Sequence, residues 1–242
     1  MKLISGMHRS GTSMMAKLAF EAGGDLGNTE TFYPGDEWNP DGYFEQEDIH
    51  KVNIPLVNGP WGKFSYFKLP STSTILSRSE EYSTLIKQLG KKYGGKIIKE
   101  TRFSLTLPAW TKNDVPIEKV LICLRNPAEV ANSIKKRNKT LVRHGLELWY
   151  THNKRIFENV GNIPMRIVSY NHLLDERTSF DELKMALNFL DLNLSDARIF
   201  ELKSEFIKTK MNHNVSTNCS YPKKIKALWD VLQDKHNKQK HN

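Results

Sequence analysis

The sequence predicts an α/β fold: one domain of three layers, a parallel sheet with helices on both faces. Three observations predict it. Short continuous apolar runs alternate with amphipathic stretches, the pattern of strands buried on both sides by crossover helices. A glycine-bounded turn joins the first run to the first amphipathic stretch. No internal repeat and no linker-like break in composition divides the chain, so residues 1–242 read as a single domain.

In chain order, KLIS (2–5) is the first strand. Met14, Met15, Leu18, Ala19 and Ala22 then recur at helical spacing, and Gly23-Gly24 stops that helix. GKIIK (95–99) is the second strand and KVLICL (119–124) the third. Asn126-Pro127 opens the next helix, with proline at its first position and Val130, Ala131 and Ile134 on its apolar face. Another helix runs from about Leu141 to Val160, and MRIVSY (165–170) is the fourth strand. Phe180, Leu183, Leu187 and Leu190 mark a further helix that ends around residues 191–193. Between residues 24 and 95 lie long irregular connections rich in Gly, Pro, Asn and Trp, the kind of segment that carries function. Residues 203–242 form a basic tail, helical or partly frayed, and its last residues, DKHNKQKHN, are expected to fray.

Lys and Arg number 36 against 27 Asp and Glu, a formal net charge of +9 with a pI near 9.4. The excess is uneven: residues 21–50 hold nine acids and no Lys or Arg, while residues 203–242 hold nine Lys and three acids. A basic nucleic-acid-binding domain is one reading of this charge. The tail has no arginine and few aromatics, however, so the groups that read or stack bases are missing. It reads as a solvated face, and no nucleic-acid partner is expected. No stretch approaches the ~18 apolar residues of a membrane span, and MKLISGMHRSG is not patterned as a signal peptide. Cys123 and Cys219 alone make neither a disulfide framework nor a zinc site. These features predict a soluble, cytoplasmic protein; oligomeric state is left open.

Chemistry concentrates in GMHRSGTS (6–13). A turn between strand and helix aims backbone N–H groups and a helix N-terminus at one spot, which suits a phosphate and makes the sheet P-loop-like. The pattern G-x-x-x-x-G-K-[ST] is nearly met, with Thr12 in the place of Lys. Arg125, ending the third strand, stands where a P-loop kinase holds its magnesium-binding Asp. A nucleotide or small-molecule kinase is therefore an alternative that lacks two of its parts. Arg9 and Arg125 suit a polyanionic nucleotide bound without a metal at the strand ends.

Together the residues resemble a known family. GMHRSGTS before a helix is similar to the 5′-phosphosulfate loop of sulfotransferases that use 3′-phosphoadenylyl sulfate (PAPS). LICLRNPAEVANSIKKR (121–137) resembles their 3′-phosphate motif, with Arg125 and Ser133 at its key positions. NPDGYFE (39–45) resembles the segment carrying an acidic catalytic residue in bacterial and carbohydrate sulfotransferases. IIKETRFSLTLPAW (97–110) resembles a Lys-Asp-Pro-Arg strand end with its following helix, although ETR replaces Asp-Pro-Arg. IVSYNHLL (167–174) resembles the Tyr-Glu-Asp-Leu segment near the adenine, with Asn171-His172 in place of the acidic pair. These blocks follow the family's order from residue 2 to about residue 192.

The resemblance implies a metal-independent P-loop sulfotransferase of the bacterial or carbohydrate type. It would move a sulfuryl group from PAPS to a hydroxyl on a saccharide or small molecule, releasing 3′,5′-ADP. His8, Arg9, Ser10, Gly11, Thr12 and Ser13 would surround the 5′-phosphate, Arg125 and Ser133 the 3′-phosphate, and Tyr170 the adenine. Arg9 and Lys99 would act on the transferring group. Glu45 is the first choice of catalytic base, with Glu47, Asp48, His50 and His8 as rivals; Glu47 and Asp48 also suit the first turn of a helix. Trp38, Trp61 and Trp110 are divided between an acceptor cleft and the core, whereas Trp149 reads as packing. Lys208 and Lys210 are divided between the 3′-phosphate and a solvated helix end.

Overall fold

A computed structural model describes residues 1–40, 42–59, 68–207 and 221–239; Trp61, Lys208, Lys210 and Cys219 lie outside them. The chain runs β1 (Lys2–Gly6), α1 (Thr12–Glu21), α2 (Glu47–Asn58), α3 (Thr72–Arg78), α4 (Ser83–Lys92), β2 (Ile97–Lys99) and α5 (Phe103–Lys112). It continues through β3 (Lys119–Leu124), α6 (Pro127–Asn138), α7 (Val142–Asn159), β4 (Met165–Ser169) and α8 (Tyr170–Leu174). Three helices close it: α9 (Ser179–Phe189), α10 (Asp196–Phe206) and α11 (Lys223–Lys238). The four strands make an all-parallel sheet in the order β2-β1-β3-β4.

Side chains alternate along each strand, so each strand feeds two cores. Leu3, Ile98, Val120, Ile122 and Ile167 join the core built with α2–α7 and α11. Ile4, Ile97, Leu121, Cys123 and Val168 join the one built with α1, α8, α9 and α10. Both faces are covered, which is why the strand sequences are continuously apolar. No helix among the described residues is long and apolar enough to cross a membrane.

Four details differ from expectation. The stretch between residues 24 and 95, expected as long irregular connections, holds α2, α3 and α4, whose Ile49, Val52, Leu56, Ile75, Ile86 and Leu89 are buried in the core. The second strand starts at Ile97 because Gly95 adopts a left-handed φ of 76° and Lys96 N–H bonds back to Tyr93 O in a turn. Tyr170 belongs to α8, since Ser169, the last residue of β4, also caps that helix, its Oγ accepting from His172 N–H. The polar carboxyl end does not fray before Gln239. Its carboxamide accepts from Ile167 N–H at 2.9 Å and donates to Met165 O at 2.9 Å, pairing along β4.

The strand order decides where a ligand can enter. The chain leaves β1 toward β2 on one side, then crosses back to β3 on the other. Between β1 and β3 the connections diverge, and the crevice at such a switch point is the usual binding place in open α/β sheets. Gly6 lies at the crevice floor, opposite Cys123. Its φ is 147°, and a Cβ there would sit 2.5 Å from the Cys123 carbonyl oxygen. Gly6→Ala should therefore lower the unfolding free energy by ~2 kcal/mol. Urea denaturation measures this, and an unchanged midpoint would refute the steric reading.

Candidate active site

A cleft of about 830 Å³ opens over the carboxyl ends of the strands. His8 and Arg9 follow β1, Lys99 ends β2 and Arg102 follows it, Arg125 follows β3 and Tyr170 follows β4, and all of them line it.

The loop after β1 is shaped by two left-handed residues, Arg9 (φ 69°) and Gly11 (φ 86°). At Gly11 any Cβ would collide with the Tyr170 ring, so only glycine fits. Gly11 also begins α1, which has neither a capping side chain nor an acid in its first turn. Its leading N–H groups therefore suit an anion. The Ser10 hydroxyl is buried without a hydrogen-bond partner, while Thr12 and Ser13 line the cleft.

Arg9 Nε donates to Ser133 Oγ at 2.9 Å, tying the loop to α6. Arg125 Nη1 donates to Arg9 O at 3.2 Å and Nε to Glu129 Oε2 at 2.8 Å. The Arg125 guanidinium lies 4.2 Å from the Tyr170 ring centroid, a cation–π contact. Asn171 Nδ2 donates to Glu129 Oε1 at 3.1 Å, and Trp149 Nε1 to Arg125 O at 3.0 Å. Residues far apart in sequence (Arg9, Arg125, Ser133 and Tyr170) are thus one cluster. Burial, with Arg137 and Arg125 nearby, pushes the Arg9 pKa down from its usual value. An arriving anion would relieve that repulsion.

A second cluster stands across Ser13. Lys99, almost fully buried, ion-pairs with Glu45 Oε1 and donates to Ser13 Oγ at 3.3 Å. Glu45 Oε2 lies 3.1 Å from His50 Nδ1, which is also 3.4 Å from Glu100 Oε2. Tyr33 stacks on the His50 ring at 4.5 Å between centroids. Glu100 in turn accepts from Arg102 N at 2.8 Å and Nη1 at 2.9 Å. Burial alone would raise the Glu45 pKa, but the charge of Lys99 and hydrogen bonds from His50 and Lys99 outweigh it. They hold this carboxyl well below the usual carboxylate range. His8 Nδ1 lies 3.1 Å from Thr101 Oγ1. Burial, then the charges of Arg102 and His152, push its pKa well below the usual imidazole value, so it is neutral at pH 7.

The rivals separate by position. His50, His8 and Glu45 line the cleft. Glu47 is exposed and pairs with Lys51 at 2.9 Å, and Asp48 accepts from Tyr93 at 2.8 Å and Lys92 at 2.7 Å, so both serve the start of α2. Trp38 lines the cleft, while Trp110 is core, its Nε1 donating to Asn53 at 2.9 Å. Trp149 packs as expected. No sequence pattern singles out Arg102, Glu100, Tyr33 or Arg137. Arg102 lies within the ETR departure and Arg137 within a Lys-Lys-Arg run that looks like an ordinary helix end. Comparisons with protein-family models, curated proteins and solved structures find no match for the chain.

A depressed carboxyl pKa contributes stability above its unfolded value, near 4.5, and that contribution is lost as the pH falls through the folded value. Lys99→Met removes the main downward influence, and burial then raises the Glu45 pKa. The acid loss of stability should move toward neutral pH by on the order of one unit. Urea midpoints recorded from about pH 3 to 7 give the answer, and superimposable profiles would contradict the pairing.

Proposed function

We propose that the protein is a PAPS-dependent sulfotransferase that acts on a hydroxyl of a saccharide or small molecule. The carrying observation is the meeting of Arg9, Arg125 and Ser133 beside an uncapped helix N-terminus, with Lys99, Glu45 and His50 across Ser13. Such a P-loop-like cradle suits a nucleotide phosphorylated at both ends of its ribose. The loop N–H groups with Thr12 and Ser13 take the 5′-phosphate, and Arg125 with Ser133 the 3′-phosphate.

In the transfer, the acceptor oxygen attacks sulfur as the bond to the 5′-phosphate oxygen breaks, and 3′,5′-ADP leaves. Lys99, already bonded to Ser13, is the cation that can follow charge on the transferring group. A carboxylate as acidic as Glu45 is a weak base by itself. Paired with His50 it works better: Glu45 and Glu100 face Nδ1, leaving Nε2 for the acceptor proton. Trp38 and Tyr43 offer aromatic faces for the acceptor. A kinase would need carboxylates for magnesium, whereas those nearest the loop are engaged by Lys99, Arg102 and Arg125.

Calorimetric titration with 3′,5′-ADP, ATP·Mg and an oligonucleotide tests this reading. 3′,5′-ADP should bind tightest, and tighter ATP·Mg binding overturns the proposal. Arg125→Ala should weaken 3′,5′-ADP about 10–100-fold and 5′-AMP much less. In an assay with labelled PAPS, Glu45→Gln and His50→Ala should each cut kcat about 100-fold or more, with nucleotide affinity nearly kept. Full turnover in both variants would remove the proton-transfer role.

A further inference from the structure

A second group of polar side chains lies outside the cleft and takes no part in the chemistry above. Glu182, on α9, is buried beneath the end of β4, and its Oε1 accepts from Ser169 N–H at 2.6 Å. His236 Nε2, from α11, stands 2.8 Å and 3.0 Å from the two carboxylate oxygens. His172 Nδ1, from α8, is 3.6 Å from Oε2. One ligand atom from each residue falls within 4.8 Å of the others. None of the three lines the cleft.

We propose that His172, Glu182 and His236 form a divalent transition-metal site, with zinc(II) as the fitting ion. Two imidazoles and one carboxylate are a borderline donor set that suits zinc better than calcium or magnesium. Zinc bonds of about 2.0–2.2 Å in tetrahedral geometry place neighbouring ligand atoms roughly 3.4 Å apart. The observed 3.0 Å and 3.6 Å separations from Oε2 lie on either side of that figure, and the two imidazole nitrogens lie within 4.8 Å of each other.

The surroundings supply an outer contact for the carboxylate but none for His236, whose Nδ1 is buried without a hydrogen-bond partner. Ser169 N–H holds Oε1 and leaves Oε2 as the ligand, the outer contact that fixes a coordinating carboxylate. The His172 side chain is 29% exposed, which supplies an approach from solvent. Arg166 borders the same small void; its charge weakens the attraction for a dication but also favours the ionised carboxylate. The group Glu45, His50 and Glu100 is a poorer choice, because Lys99 and Arg102 already bind its carboxylates. A bound ion would clamp α11 to α8 and α9, whether or not the cleft transfers sulfuryl groups.

The test is titration of the chelator-stripped full-length chain with zinc chloride, followed by calorimetry and thermal melting. One ion per chain is expected, with a melting rise of about 5–10 °C at 100-fold excess over Kd. His172→Ala, at the accessible side and least disruptive of folding, should weaken zinc about 100-fold or more, whereas His50→Ala should leave it unchanged. No saturable binding, or equal affinity in His172→Ala and wild type, overturns the proposal.

Discussion

The parallel pairing of β1 with β3 is the constraint on which the rest of this molecule depends. With β1 inside the sheet, the chain must turn one way for β2 and the other way for β3. The loop after β1 and the end of β3 are thereby left side by side with no element between them. Arg9 and Arg125 meet there because of that strand order, although 116 positions separate them. The glycine at the floor keeps the two backbones close enough for a carbonyl of one to bond a side chain of the other.

Buried charge is handled by matching. Lys99 has Glu45, Arg102 has Glu100, and Arg125 has Glu129. Such pairs contribute little net stability against well-packed apolar residues, yet losing one partner strands the other charge at high cost. Their benefit is positional: each cation is aimed before any ligand arrives, so less ordering remains for the binding step. Arg9 differs from these three, being held by the Ser133 hydroxyl rather than by a carboxylate. A ligand anion would complete its charge balance.

Sequence periodicity exposed the four strands and the helices beside them, because strands buried on both faces leave unbroken apolar runs. The loop was legible for a similar reason: Gly6 and Gly11 occupy positions that allow no side chain. Arg125 and Ser133 were paired by the resemblance to a 3′-phosphate motif, and both lie in the cluster that Arg9 joins. Trp110 could not be sorted, as an indole suits a cleft or a core equally until its neighbours are known. Glu47 and Asp48 were indistinguishable from Glu45 for a related reason, since only the left-handed turn at Gly42 and Phe44 decides which acid faces Lys99. The roles of Glu100, Arg102 and Tyr33 are set by packing between distant segments, which local patterns do not encode. The lysine-rich tail gave no hint that its polar end pairs with a strand.

That pairing has a consequence for the molecule's behaviour in a crowded solution. An outermost strand with unsatisfied peptide groups is a template on which another chain can grow. Gln239 occupies part of that template at β4, its carboxamide offering one donor and one acceptor as a peptide unit would. At the opposite margin β2 offers three residues, a short purchase for an incoming strand. The sheet is closed to extension at one side by an amide and at the other by brevity, so neighbouring copies find little backbone to polymerise on.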